Sequence, residues 1–91
     1  MAVTLADRVL AASHLSGSFV LRSGRTAEHY FDKYRFESDP ALLGEIVAAL
    51  VPLVPAGTEG LAGLELGGVP LATMLSSVTG LPAFFVREEP K

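Results

Sequence analysis

Apolar positions recur along this chain in two rhythms, one helical and one alternating. Leu5, Val9 and Ala12 fall at helical spacing behind Thr4 and Asp7, a pair placed as a capping box, and predict a first helix over about 5–14. Gly17 ends that segment. From Ser18 to Leu21 the period shortens to two, with Phe19 and Leu21 on one side of a strand, and Ser23-Gly24 marks a turn. A second extended run, His29 to Phe36, is rich in aromatic residues and is expected to pair with the first as an antiparallel hairpin joined by Arg22 to Glu28.

Ser38-Asp39-Pro40 then opens a helix: a short polar side chain caps orphan amides, and proline at the first helical position loses no needed hydrogen bond. Leu42, Leu43, Ile46, Val47 and Leu50 trace one apolar face behind it. Pro52 and Pro55 end the helix, and Ala56 to Gly60 reads as a connecting loop. Leu61 to Leu66 predicts a short buried strand, Val69 to Val78 a helix closing near Gly80, and Pro82 to Val86 another strand. Strand, helix, strand in that order is a right-handed parallel unit.

The expected fold class is therefore α/β: an N-terminal helix and β-hairpin over 1–37, then, over 38–91, the first strand-helix-strand unit of a parallel sheet. Both belong to one partial domain. Two parallel strands leave edges and a face uncovered, whereas such sheets are normally buried on both sides, so a truncated sheet with further chain after Lys91 is expected.

Composition adds to this picture. At 91 residues the chain is 49% hydrophobic, high for its size, which implies apolar surface meant for contact with other segments or a partner. Seven basic and ten acidic residues are scattered, for a net charge of -3, and so give no footprint for nucleic acid or an anionic membrane. The absence of cysteine excludes disulfides, thiolate metal sites and a cysteine nucleophile, and favours a cytoplasmic setting. Asp7 and Arg8 interrupt any leader-like pattern, and Ile46 to Val54, broken by Pro52, is far shorter than the roughly 20 residues of a membrane helix.

Three segments can carry chemistry. Gly67 and Gly68 fall where a strand end meets a helix N-terminus, a place whose free amides and dipole attract anions; a tight turn needing glycine for its backbone angles is the alternative. The Arg22-Ser23-Gly24-Arg25-Thr26 turn offers guanidinium and hydroxyl groups to a carboxylate or phosphate, or is a solvated hairpin tip, and in the adjacent pair Tyr30-Phe31 one ring must face away from the core unless covered. Arg87 and Lys91 lie beyond the last strand, either as cations able to close on a polyphosphate or as an ordinary charged tail. His14 and His29 lack a metal-ligand spacing and read as surface or turn residues, Asp39 as a helix cap, and Asp32 and Glu37 as strand-end charges.

Taken in series, Gly17 to Thr26, Tyr30-Phe31-Asp32-Lys33, Glu65-Leu66-Gly67-Gly68-Val69-Pro70-Leu71-Ala72, and Thr79-Gly80-Leu81-Pro82 with Val86-Arg87 resemble the orotate phosphoribosyltransferase family across nearly the whole chain. The resemblance implies a type I phosphoribosyltransferase that joins orotate to phosphoribosyl diphosphate with Mg2+, typically as a homodimer with shared active sites. By that resemblance Tyr30 and Phe31 lie against orotate, Arg22, Leu66, Gly67 and Gly68 bind diphosphate, Arg87 and Lys91 are the first and third basic positions of a flexible catalytic loop, and no residue here is a metal ligand.

The chain departs from the family pattern in three places. Arg22 stands where lysine is usual, keeping the charge but changing reach and hydrogen-bond geometry. Glu88 replaces a common lysine in the catalytic loop. The family's signature, an apolar strand leading to two adjacent acidic residues and a Thr/Ser-Gly-Gly turn that grips ribose and its 5'-phosphate, has no match, so the chain alone is expected to be inactive. Alternatives to a transferase fragment are a non-catalytic nucleotide-binding regulatory module of the same fold and an inactive interaction fragment.

Overall fold

Thr4 and Asp7 close their capping box, each backbone N–H donating at 3.1 Å to the other's side chain, and the helix so started, α1, runs Leu5–Ser13. The computed structural model describes residues 3–90. Extended backbone at His14 turns α1 directly into strand β1, His14–Val20, so the strand begins earlier than the alternation from Ser18 predicts. It pairs antiparallel with β2, Thr26–Phe31. The register shifts between Ser16 and Phe19, at a bulge where Gly17 adopts a φ of 151° that side-chain-bearing residues rarely take.

The expected strand over 29–36 is in fact half strand and half helix. Asp32 accepts the Tyr34 N–H at 3.1 Å and caps a short helix, α2, Lys33–Glu37, which buries Phe36. A local cap at Asp32, supported by the packing of Phe36 against Phe31 at 6.1 Å between ring centres, overrides the strand preference of the aromatic run. Glu37 is accordingly a helical residue and not a strand-end charge.

Asp39 receives the N–H groups of Ala41 and Leu42 at 3.1 Å each and opens α3, Pro40–Leu50, whose Leu42, Leu43 and Val47 form most of the buried core. A 3₁₀ turn at Val51–Leu53 carries the chain to β3, Leu61–Leu64, which ends two residues before the expected boundary. After the turn at 65–68 comes α4, Val69–Thr79, stopped by Gly80 in the left-handed conformation at φ 78°, then β4, Ala83–Val86, in parallel register with β3.

α4 packs on β3 and β4, α3 on α4, and α1 and α2 on α3, so the hairpin and the parallel unit are joined through helices and not through one sheet. The result is thin, 20 Å against 45 × 43 Å. In so thin a body only Phe36, Leu42, Leu43, Val47 and Ala72 among the described residues are buried apolar side chains, while Leu64, Leu66, Phe84 and Phe85 are exposed around the parallel strands. The apolar surplus read from composition is thus surface.

Candidate functional site

The turn between β3 and α4 is shaped by two glycines that bring backbone against backbone. A Cβ at Gly68 would stand 2.7 Å from the Leu64 nitrogen, and one at Gly63 would stand 2.5 Å from the Gly68 oxygen, so neither position has room for a side chain. The Gly68 N–H donates to the Leu64 carbonyl at 2.8 Å, and the Val69 N–H to Leu66 at 3.1 Å. Among the described residues, the N–H groups of Leu66 and Gly67 have no such partner. With the N-terminus of α4 beside them, these two amides form the anion-attracting part of the turn.

Two side chains that sequence reasoning passed over fix this turn. Lys33 Nζ, from α2, donates to the carbonyl oxygen of Gly67 and lies 3.1 Å from Glu37 Oε2, whose side chain is only 4% exposed. Glu65 Oε1 accepts the Glu88 N–H at 2.6 Å and so ties the turn to the segment after β4, across an open hollow of about 210 Å³ lined by Leu64, Glu65, Val86 and Glu88. Lys33 was hidden because its partner lies 34 positions away. Glu65, like Lys33, sits inside a motif of the family resemblance and carries no signal of its own.

Arg87 is exposed in the segment that follows β4, and Lys91, the other expected loop cation, lies outside the described residues. Arg22 and Tyr30 line one open groove of about 480 Å³ together with Phe19, whose ring centre is 5.7 Å from that of Tyr30. Phe31 faces the opposite side of the hairpin, where it lines an apolar groove with Leu5, Val9, Phe36 and Ile46. Strand alternation sends neighbouring side chains apart. Both rings of the expected aromatic pair are 45% exposed, but the structure brings only Tyr30 to the face that holds Arg22.

His14 and His29 lie on adjacent strands as exposed residues, Nε2 of the first 2.9 Å from Nδ1 of the second, and neither is in a turn. Among the described residues, no three His, Cys, Asp or Glu side chains gather as a metal site, and no helix is long and apolar enough to cross a membrane.

Comparison with known proteins bears on this arrangement. No family model matches the chain. An orotate phosphoribosyltransferase of Nocardioides sp. is 56% identical over 88 residues, covering 97% of this chain and 49% of that protein. The chain belongs to the orotate phosphoribosyltransferase family. The crystal structure of the Aeropyrum pernix orotate phosphoribosyltransferase superposes with a TM-score of 0.75 at 31% identity, over 92% of this chain and 50% of the other. That of the Mycobacterium tuberculosis orotate phosphoribosyltransferase in complex with inorganic phosphate does so with a TM-score of 0.67 at 34% identity, over 92% and 52%.

This chain thus spans about half the length of the orotate phosphoribosyltransferases it matches, as an amino-terminal part of the family's fold. The helix, hairpin and parallel unit read from the sequence are all present in that part. Relatives named for the transferase do not favour the regulatory-module alternative.

Proposed function

We propose that the protein carrying this sequence transfers the phosphoribosyl group of phosphoribosyl diphosphate to orotate, yielding orotidine 5'-phosphate and diphosphate in pyrimidine synthesis. The observation that carries this reading is the β3–α4 turn, with two amides at a helix start that have no backbone partner among the described residues, in a chain 56% identical to an orotate phosphoribosyltransferase. The relative solved with inorganic phosphate, 34% identical, supports an oxyanion as the ligand class.

In this reading the Leu66 and Gly67 amides receive diphosphate oxygens as charge builds on the leaving group, which is where fixed donors lower the barrier most. Arg87, exposed in the segment after β4, adds a cation to the site, and Lys91 is proposed as a second. Arg22 faces the carboxylate or diphosphate end of the substrates across the groove it shares with Tyr30, and the Tyr30 ring lies against the base. Phe31 lines the opposite groove with Leu5, Val9, Phe36 and Ile46, and this reading gives it no contact with orotate. No nucleophilic side chain is required, since orotate attacks as an anion.

Mg2+ bound with the donor would neutralise charge on its diphosphate. The described residues do not by themselves make a protein cage for it, so no step is assigned to a metal ligand of this chain. The reaction is assigned to a cytoplasmic homodimer. The isolated 91-residue chain, which lacks the acidic-pair and Thr/Ser-Gly-Gly motif, is assigned no turnover of its own.

The test is conversion of orotate to orotidine 5'-phosphate by the purified protein carrying this sequence, with phosphoribosyl diphosphate and Mg2+ present. Product formation that depends on both substrates is the expected result; a folded protein that also carries the acidic-pair motif and forms none contradicts the proposal.

A further inference from the structure

The Gly67–Gly68 peptide is held at both ends. Its N–H donates to the Leu64 carbonyl at 2.8 Å, and its C=O accepts from Lys33 Nζ. A peptide between two glycines has the least steric resistance to flipping, because neither side carries a Cβ. In the opposite orientation its carbonyl would present negative charge beside the Leu66 and Gly67 amides, where an anion is to sit. Lys33 and the Leu64 carbonyl together therefore select the orientation compatible with anion binding, Lys33 being the side-chain part of that hold.

Lys33 is itself fixed. Its Nζ meets Glu37 Oε2 at 3.1 Å one helical turn on, and Glu37 Oε1 is buried without a hydrogen-bond partner among the described residues, so this carboxylate depends on Lys33 for its charge balance. The lysine stem occupies the space beside Gly67: a Cβ there would stand 3.1 Å from both Cδ and Nζ. Lys33 also begins α2 directly after the Asp32 cap, next to the end of β2, so it links the hairpin half of the molecule to the glycine turn.

We propose that Lys33 is a positioning residue for the diphosphate-bearing substrate, acting through the Gly67 carbonyl with Glu37 as its anchor. The assignment rests on reading the β3–α4 turn as the diphosphate site.

Removing Lys33 alone leaves Glu37 buried and unpaired, which can unfold the protein; the informative variant is therefore the double one, Lys33→Met with Glu37→Gln, which removes both charges together. Binding of inorganic diphosphate to the protein carrying this sequence, in Mg2+ buffer, is followed by titration calorimetry. The expected result is a dissociation constant raised about tenfold or more, the scale of one lost charge-assisted hydrogen bond. The KM for phosphoribosyl diphosphate should rise in parallel, that for orotate should stay within about twofold, and Lys33→Arg, which restores a donor, should recover most of the loss.

A purely structural role lowers the binding stoichiometry through a smaller folded fraction and leaves the dissociation constant unchanged; that result overturns the proposal. So does a wild-type protein that binds no diphosphate, or a double variant in which both KM values rise equally. Wild-type protein that binds diphosphate in a Lys33-dependent way without turning over orotate upholds Lys33 and overturns the transferase reading.

Discussion

Gly63 and Gly68 touch backbone to backbone: a Cβ on Gly63 would stand 2.5 Å from the Gly68 oxygen and 2.8 Å from its carbonyl carbon. Gly63 is the buried residue of β3, and Gly68 is the last residue before α4. This close approach seats the helix start against the strand end and thereby creates the turn on which the functional reading depends. Gly63→Ala is expected to destabilise the protein by about 1–3 kcal/mol, because rigid backbone and not a flexible side chain must move. Gly44 provides the contrast, since nothing lies within 4 Å of a Cβ there and it is internal to α3. Gly44→Ala should stabilise by about 0.5–1 kcal/mol. Thermal unfolding of the two variants checks both signs.

Tyr30 and Phe31 should separate in their effects because they face opposite grooves. Tyr30→Ala is expected to raise the KM for orotate about tenfold, the scale of one lost aromatic contact, with little change in melting temperature. Phe31→Ala should instead lower stability by about 1–2 kcal/mol, less than a fully buried phenylalanine would. Equal KM effects and unchanged stability in both variants would show that the two rings act on one ligand.

Arg87 makes no ion pair among the described residues and is exposed, so its replacement disturbs no packing. Arg87→Ala should reduce kcat about a hundredfold if the guanidinium meets charge developing on diphosphate, and leave the melting temperature in place. Steady-state kinetics beside a melting curve distinguishes this from a charge on an ordinary tail.

Arg8 and Glu45 join α1 to α3 by a bidentate pair, Nη1 to Oε2 at 2.5 Å and Nη2 to Oε1 at 2.7 Å. Hydrogen bonding from Arg8 holds the Glu45 carboxyl below its ordinary value of 4.5, and the Thr4 backbone N–H holds Asp7 below 3.8. A carboxyl with a depressed folded value contributes its stability above the unfolded value, and that contribution is lost as pH falls through the folded one. Stability should therefore fall as pH drops below 4.5, and Glu45→Gln should flatten the first part of that fall. The pair is exposed, so added salt should shrink the difference. Acid titrations of wild type and variant, followed by circular dichroism, provide the check.

What could be read from sequence was local. The Thr4–Asp7 box, the Asp39 cap ahead of Pro40, and the Gly80 stop each involve residues within a few positions of one another, and each stands where the pattern put it. The turn at Gly67-Gly68 was legible for the same reason. The stretch after Phe31 was not, because its aromatic content favours a strand while a single carboxylate, Asp32, and the burial of Phe36 decide for a helix. Lys33 and Glu65 were missed because their roles rest on contacts 34 and 23 positions away, which no spacing rule reports. The separation of Tyr30 from Phe31 follows from strand alternation, yet only the surfaces on the two sides of the hairpin show which ring shares a groove with Arg22.

The central claim is that the turn between β3 and α4 serves transfer of phosphoribosyl to orotate and not to another base. The most direct measurement is release of diphosphate from phosphoribosyl diphosphate by the protein carrying this sequence, with orotate, uracil, adenine or hypoxanthine offered in turn. Release with orotate, and at most a trace with the others, is the expected result. Release that is equal across the bases, or absent with orotate from folded protein that also carries the acidic-pair motif, would contradict the account.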